Sequence, residues 1–252
     1  MLSKSKMKWI NSLNLKKHRD EEGVFVAEGI KLVSDLLPFL KCRMLVATDV
    51  QFQDFSDKFT DEIGLISLEE YKKISFQKSP QGVLAVFEKP KHGFSIPEIS
   101  RKLSLALDDI QDPGNLGTII RLADWYGVTD VFCSTHSADV YSPKTVQATM
   151  GALARVRVHY VDLPSFLDEV KDEIPVYGTF MSGTNIYSAQ LSEHGVIVIG
   201  NEGNGISAEV ENRITHKITI PNYPFGSQTS ESLNAGIATA ITVSEFRRKH
   251  LK

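Results

Sequence analysis

The segment DPGNLGTIIR, residues 112–121, contains residue types that suit a ligand-binding turn. Asn115 has an amide that can face a ligand, Gly117 lets another backbone approach closely, and Arg121 has a permanently charged guanidinium. Arg121 lies about 600° of helical rotation beyond Asn115, so the two converge only if Asn115 belongs to the loop and the arginine projects back over the helix start. Otherwise Asn115 only caps the helix, and Arg121 is a surface charge paired with Asp124.

A second loop, in VIVIGNEGNGIS, follows a continuous apolar run and contains Gly200, Gly203 and Gly205. Glu202 lies within it, and an acid at the end of a buried strand usually has a specific partner. The loop does not have the dinucleotide spacing G-x-G-x-x-G, and no G-x-x-x-x-G-K-[ST] phosphate loop occurs in the chain. The glycines alone are therefore weak evidence for a nucleotide cofactor.

A third loop, in KITIPNYPFGSQTSESLNAGIATA, is long and contains two prolines and a glycine. Ser232, Leu233 and Asn234 then open a helix that is rich in small residues. Ser232 either caps that helix or faces a ligand, and the small residues by themselves indicate only close helix packing.

Strand and helix patterns alternate along the chain, which predicts an α/β protein with a doubly wound, mainly parallel sheet. In such sheets ligands bind beyond the carboxyl ends of the strands, where all three loops would lie. The segment KPKHGFSIPEIS, residues 89–100, has two prolines, a glycine and no apolar period, which is typical of a linker. We therefore expect a small domain over residues 1–95 and a larger one over residues 101–252.

Composition restricts the function classes. The chain has 252 residues, a formal net charge of −3 and no apolar run long enough to span a membrane. The N-terminus lacks the apolar region of a secretory signal, and Cys42 and Cys133 form no metal or redox pattern. These features indicate a cytoplasmic protein without a bound metal. Residues 1–19 contain only basic charges, which either form a solvated end or contact a polyanion.

In combination, the three loops resemble the SpoU (TrmH-like) family of RNA ribose 2'-O-methyltransferases in the SPOUT superfamily. The likeness rests on N-x-G-x-x-x-R after one strand, G-N-E-G after another, and I-P followed by S-L-N before the last helix, in that order. It extends over roughly residues 103–248 and includes SPKTVQATMGALARVRV. HRDEEGVFVAEGIKLV and SPQGVLAV are similar to the substrate-binding domain that precedes many members.

The resemblance implies a deep trefoil knot in the C-terminal sheet, with S-adenosylmethionine bound there largely by backbone groups, and a homodimer whose subunits complete each other's active sites. The implied cofactor contacts are Thr179, Gly200, Ile220 and Leu233. The implied catalytic residues are Arg121, Asn115, Glu202, Ser232 and Asn234. Arg121 would orient the ribose hydroxyl and its phosphate and stabilise the alkoxide, while a phosphate or water takes the proton. The other four would fix Arg121, the loops and the nucleotide by hydrogen bonds, although Glu202 is alternatively structural.

One departure from the family pattern is the long segment NYPFGSQTSE, residues 222–231, which puts the contact of Leu233 in doubt. With a substrate-binding domain implied, Lys16, Lys17 and Arg19 are expected to contact the RNA backbone. Such contacts give affinity without sequence choice.

The resulting hypothesis is methylation of a ribose 2'-hydroxyl of ribosomal RNA, with transfer RNA as the next substrate. A non-catalytic RNA-binding or ribosome-assembly factor on the same fold is the alternative from another class, and the five intact polar residues count against it. A nucleotide-dependent oxidoreductase or NTPase is disfavoured by the missing phosphate motifs.

Overall fold

The structure is a computed structural model that describes residues 2–48, 55, 62–224, 227 and 232–248. It divides into two compact units, residues 1–91 with 139–154 and residues 92–138 with 155–252. Segment 139–154 thus groups with the first unit although it lies between elements of the second. The predicted domains, 1–95 and 101–252, stay a prediction.

The first unit is built on a mixed four-stranded sheet. Its strands run in the order β1-β4-β2-β3, and only β2 and β3 pair in parallel. The described elements are α1 Lys4–Ser12, α2 Lys16–Glu22, β1 Val24–Glu28, α3 Ile30–Leu36, β2 Cys42–Thr48, β3 Ile63–Ile66, α4 Leu68–Lys72, β4 Val83–Glu88, α7 Pro143–Thr149 and a 3-10 turn at Ala152–Ala154.

Every residue of β1 is buried; its first four residues are apolar, and Glu28 at its end accepts hydrogen bonds from Ser75 and from the backbone N–H of Phe76. One core cluster contains Leu84 and Val86 of β4 with Ile10 and Leu13 from the N-terminal helical region. The basic N-terminus is therefore helical and contributes apolar residues to this core, an assignment that its charge pattern alone did not give.

The second unit contains a six-stranded sheet with strand order β10-β8-β9-β5-β6-β7, and all its pairings are parallel. The predicted α/β fold with a mainly parallel sheet is confirmed. The elements are α5 Ile96–Ile99, β5 Leu103–Leu107, α6 Pro113–Trp125, β6 Asp130–Ser134, β7 Arg157–Val161, α8 Leu163–Val170, β8 Val176–Asn185, β9 Gly195–Ile199, α9 Ala208–Glu211, β10 His216–Thr219 and α10 Ala235–Arg248.

Strands β5 and β9 lie side by side in the middle of this sheet, and all five residues of each are buried. Asn115, in the first turn of the helix after β5, and Glu202, in the loop after β9, follow these strands. Because neighbouring parallel strands end at the same edge, the two loops are adjacent. The predicted trefoil threading stays a prediction.

Strand β8 has an irregular register against β10. Gly178 pairs with Lys217, but the next pair is Thr184 with Ile218, so residues 179–183 have no counterpart on β10. Thr179 begins this bulge. In the described part of the chain, no helix is both long enough and apolar enough to cross a membrane.

Candidate active site

Helix α6 begins two residues before Asn115. Pro113 occupies its first turn, and Asp112 is the N-cap, whose side chain accepts a hydrogen bond of 2.8 Å from the backbone N–H of Asn115. Proline suits a first turn because its missing N–H is not needed there. The interpretation of Asn115 as the helix cap is therefore wrong. With Asp112 in that role, the Asn115 side chain is available to other groups.

The Asn115 amide joins two of the other predicted site residues. Its Nδ2 donates to Oε1 of Glu202, and its Oδ1 accepts from Nδ2 of Asn234 at 2.9 Å. One side chain from each of the three loops thus takes part in a single chain of hydrogen bonds. Because both the donor and the acceptor of Asn115 are used, its amide orientation is set by its two neighbours.

Two residues of the third loop, Asn234 and Ser232, bond to this group of side chains. Asn234 Oδ1 accepts from the backbone N–H groups of Gly236 at 3.0 Å and Ile237 at 3.3 Å, so Asn234 caps helix α10. Ser232 is not that cap. Its hydroxyl donates to the backbone carbonyl of Glu202 at 3.3 Å. Four of the five predicted catalytic residues are therefore linked directly or through one neighbour.

Arg121, the fifth, lies on the exposed side of α6, and no hydrogen bond or ion pair joins it to another described residue. The alternative that it pairs with Asp124 is wrong, because Asp124 accepts two hydrogen bonds, 2.8 and 2.7 Å, from Arg155. A guanidinium without a protein partner can serve an anionic ligand.

Three of the predicted cofactor contacts lie within or directly after three neighbouring strands, β8, β9 and β10. The Thr179 hydroxyl donates to the carbonyl of Val198 at 3.2 Å, Gly200 follows β9, and half-buried Ile220 follows β10. Leu233 lies between Ser232 and Asn234 and is 45% exposed. Most of the 222–231 loop lies outside the described residues.

Gly200 is the position where a side chain is least tolerable. A Cβ there would lie 2.3 Å from the carbonyl carbon of Gly205 and 2.4 Å from the amide nitrogen of Ile206. The loop after β9 folds back tightly enough to exclude any larger residue. None of the four predicted contacts has a charged side chain, so none offers the cation that usually binds a pyrophosphate.

Of the three predicted RNA contacts, Arg19 needs correction. Its guanidinium is buried, donates to the carbonyls of Leu13 and Asn14 at 2.7 Å, and pairs with Asp139 at 2.5 Å. These partners use its charge inside the first unit, so it does not form part of a phosphate-binding surface. Lys16 and Lys17 are exposed on α2 and stay predictions.

Two residues of the site were missed from the sequence, Asp112 and Asn201. Asp112 had a usable signal, since Asp directly before Pro at a helix start is a common cap arrangement. Asn201 had a weaker one, because asparagine in a glycine-rich loop often bonds the backbone two residues on. Its side chain does accept from the N–H of Gly203 at 2.8 Å.

A parallel sheet whose strand-end segments share one group of hydrogen-bonded polar side chains agrees with the α/β methyltransferase that the motifs predict. The chain belongs to the SpoU rRNA Methylase family, whose model matches residues 102–244. Residues 4–85 match a second model, the MRM3-like substrate binding domain. The resemblance inferred from the three loops is thereby confirmed.

The chain is similar to known proteins over nearly its whole length. The 23S rRNA (guanosine(2553)-2'-O)-methyltransferase RlmP of Bacillus subtilis is 32% identical over 247 residues, which is 96% of each chain. A TrmH-family structure from Porphyromonas gingivalis has a TM-score of 0.89 and 44% identity, with 99% of both chains covered. An AdoMet-bound rRNA methyltransferase from Sinorhizobium meliloti has a TM-score of 0.86 and 30% identity, covering 100% of this chain and 97% of that one.

Proposed function

We propose that this protein transfers a methyl group from S-adenosylmethionine to a ribose 2'-hydroxyl of ribosomal RNA. The observation that carries the proposal is the bonded chain Glu202–Asn115–Asn234, which assembles the three family motifs into one site. Family membership and the 23S rRNA methyltransferase named among its relatives support the same reaction.

S-adenosylmethionine supplies an electrophilic methyl group on a positively charged sulfur. Thr179, Gly200, Ile220 and Leu233 would hold it, and the tight turn at Gly200 supports this assignment. Bound there, it would supply the methyl carbon for the ribose oxygen, with the neutral thioether as the leaving group. The hydroxyl is a poor nucleophile, so the protein must align it and stabilise the negative charge that develops on its oxygen.

Arg121 performs this stabilisation. A guanidinium stays protonated in proteins, so it acts as a hydrogen-bond donor and cation toward the oxygen and the adjacent phosphate. The proton leaves to water or to a phosphate of the RNA. Hydrogen bonds of four other residues hold the loops and the target nucleotide in position relative to Arg121; these residues are Asn115, Glu202, Ser232 and Asn234. Its exposure, and the absence of a partner among the described residues, support a role toward the substrate.

RNA binding requires groups outside this site. Lys16 and Lys17 are exposed within the segment that matches a substrate-binding domain, and they contact RNA phosphates. The nearest carboxylate to Lys17 is Glu21, at 3.9 Å and solvent-exposed, an arrangement that contributes little stability and leaves the lysine available to phosphate.

The protein acts as a homodimer in the cytoplasm. Helices α6 and α10 pack against each other and still leave Trp125 83% exposed and Ile237 53% exposed, which supports a second copy covering this face. Cys42 and Cys133 are both buried and outside any disulfide, as in proteins of reducing compartments.

The test is mass spectrometry of nucleosides from unmodified ribosomal RNA, with transfer RNA in parallel, after incubation with protein and S-adenosylmethionine. A new 2'-O-methylnucleoside is expected in ribosomal RNA only. Arg121→Ala should lower the rate by about 10²- to 10³-fold, the usual loss for one donor to a developing oxyanion. The matched control is Arg101→Ala, an exposed arginine before β5.

Two results would contradict parts of the proposal. If calorimetry detects no binding of S-adenosylmethionine to the parent protein, the methyltransferase assignment fails. If Arg121→Ala methylates as fast as the parent, the catalytic role of Arg121 is wrong even though the reaction stands.

A further inference from the structure

Asn201, the residue after Gly200, joins the loop after β9 to the loop after β5. Its side chain is half-buried, and Nδ2 donates to the backbone carbonyl of Asp109 at 2.8 Å. Its Oδ1 accepts from the backbone N–H groups of Gly203 at 2.8 Å and Asn204 at 3.0 Å. The side-chain oxygen of Asn201 thus stabilises the loop after β9, and its side-chain nitrogen holds the loop after β5.

The backbone of Asn201 also closes the loop. Its N–H donates to the carbonyl of Gly205 at 3.0 Å, and the N–H of Gly205 donates back to the Asn201 carbonyl at 2.9 Å. Residues 201–205 therefore form a small ring, of which Glu202 is the second member. The direction of the Glu202 side chain depends on how this ring is held.

The partner of Asn201 has an uncommon backbone conformation. Asp109 is a non-glycine residue with φ of 58°, in the left-handed region, which costs free energy for residues with a side chain and which Asp adopts more readily than most. It is held from two sides, because its N–H donates to Ser134 Oγ at 2.9 Å and its carbonyl accepts from Asn201. Such conformations persist only where the surroundings fix them.

Asp109 directs the chain toward helix α6, whose cap Asp112 follows three residues later and whose first turn contains Asn115. The two loops are therefore joined twice, by Asn201 to Asp109 at the base and by Glu202 to Asn115 further along. Loss of the first connection would let the loops move relative to each other. The Glu202–Asn115 bond would then lose its fixed geometry.

We propose that Asn201 is a positioning residue for methyl transfer, which acts through Glu202 and Asn115 by fixing the loop after β9 to Asp109. The inference rests on the proposed function for its kinetic consequence. Asn201 itself need not touch the substrate, because its side chain is occupied by Asp109, Gly203 and Asn204.

The donor and acceptor roles of Asn201 can be separated. Asn201→Asp keeps an acceptor for the two loop N–H groups and removes the donor to Asp109. The control Asn204→Asp introduces the same charge in the same loop, at an exposed residue whose backbone N–H, not its side chain, bonds Asn201. Asn201→Ser is a neutral second variant that keeps a turn acceptor and cannot span to Asp109.

For Asn201→Asp and Asn201→Ser we expect kcat to fall roughly 10- to 100-fold, as small misplacements at a reacting centre do. The melting temperature and the KM for S-adenosylmethionine should stay near those of the parent and of Asn204→Asp. Combined with Glu202→Gln, Asn201→Asp should lower kcat by less than the product of the two single effects, because both act on one bond. A kcat within twofold of the parent, or fully multiplicative effects, would overturn the proposal.

Amide hydrogen exchange without cofactor provides a readout that does not depend on turnover. In Asn201→Asp, but not in Asn204→Asp, the amides of residues 109–116 should exchange faster. Unchanged exchange would overturn the connection itself. An inactive parent enzyme would instead refute the proposed function, and the exchange result would still decide whether Asn201 holds the two loops together.

Discussion

Asn115 shows how one capping residue changes what another can do. The Asp112 side chain accepts from the backbone N–H of Asn115 at the start of α6. The side-chain amide of Asn115 is therefore available to bond Glu202 and Asn234. An aspartate at position 115 would bring a second carboxylate against Glu202, and a leucine would leave both neighbours without their partner. The hydrogen-bonded chain Glu202–Asn115–Asn234 therefore uses both ends of the Asn115 amide, a donor on one side and an acceptor on the other.

At the same scale, Gly200→Ala should disable the loop that contains Glu202. The added Cβ would lie between 2.3 and 2.6 Å from three backbone atoms of Gly205 and Ile206, so the backbone must move. We expect a loss of about 1–3 kcal/mol in the free energy of unfolding, as for other overpacked sites. Calorimetry should show S-adenosylmethionine binding reduced below detection, and thermal denaturation should report the stability.

Gly203→Ala is the matched control for this substitution. A Cβ at Gly203 meets only Asn201 Oδ1, at 3.5 Å, which is ordinary van der Waals contact. This variant should bind S-adenosylmethionine nearly as the parent does. Equal binding by Gly200→Ala and Gly203→Ala would show that the tight turn at Gly200 has no part in the cofactor site.

The family resemblance implied Asn115, Glu202, Ser232 and Asn234 as site residues, and the structure brings them together, because each follows a strand of one parallel sheet. The same reasoning failed for Arg19. Its partner Asp139 lies 120 residues further along the chain, and a basic cluster in a sequence does not reveal a buried carboxylate that distant. Burial of a charge depends on tertiary contacts, which local charge patterns do not contain.

At the scale of elements, the amino ends of β6 and β7 are joined by a charged network. Asp130, fully buried at the start of β6, accepts from Arg157 at 2.7 Å and from His159 at 3.0 Å. Burial alone would raise the pKa of Asp130, but hydrogen bonds from His159, Arg157 and Thr129 hold it well below its ordinary value. Arg157 also pairs with Glu98 of α5 at 2.8 Å, which attaches the end of the predicted linker to the sheet.

Asp130→Asn should therefore destabilise the protein in a pH-dependent way. A carboxyl with a lowered folded-state pKa contributes stability above its unfolded pKa, near 3.8, and loses it as the pH falls through the folded value. Removing one partner of a buried pair costs about 3–5 kcal/mol, so we expect this difference in unfolding free energy near pH 7. The difference should shrink below about pH 4.

Urea denaturation of the parent and the variant between pH 3 and pH 7 measures this difference. The control Asp172→Asn changes an exposed carboxylate and should give only a small difference in unfolding free energy. A parent–Asp130→Asn difference that stays constant over this range would contradict the lowered pKa.

Elements differ in how well the sequence predicts them. Strands such as β5 and β9 are continuous apolar runs because both faces are covered, and their prediction holds. The bulge at residues 179–183 of β8 is not visible in the sequence, because its position depends on pairing with β10. A bulge is a property of two strands, and the pattern of one strand does not determine it.

On the scale of the whole molecule, the chain enters the first unit twice. Segment 139–154 is held there by contacts with distant residues, including the Arg19–Asp139 ion pair and a 2.7 Å hydrogen bond from Gln77 to Gln147. The proline-containing stretch at 89–100 predicts one boundary from its composition. The return of the chain to the first unit at residue 139 is not visible in the composition. SPKTVQATMGALA has the pattern of an ordinary helix, and this pattern does not tell to which unit the helix belongs.

The oligomeric state of the protein can be tested at Trp125. Trp125 lies near the end of α6 and is 83% exposed, so an unpaired subunit would keep a large apolar side chain in water. If a second copy covers it, Trp125→Glu buries a charge in the interface and should convert the dimer into monomers. Because the resemblance implies that both subunits complete each site, methylation should fall with the dimer fraction.

Sedimentation velocity at several protein concentrations checks this outcome, with methylation measured on the same samples. Phe39→Glu is the matched control, since Phe39 is an aromatic residue of the first unit that is 58% exposed. The control should sediment as the parent does. A parent that sediments as a monomer would refute the homodimer, and a dimeric Trp125→Glu would place the interface on another face. If Trp125→Glu is monomeric and fully active, each active site is complete within one chain.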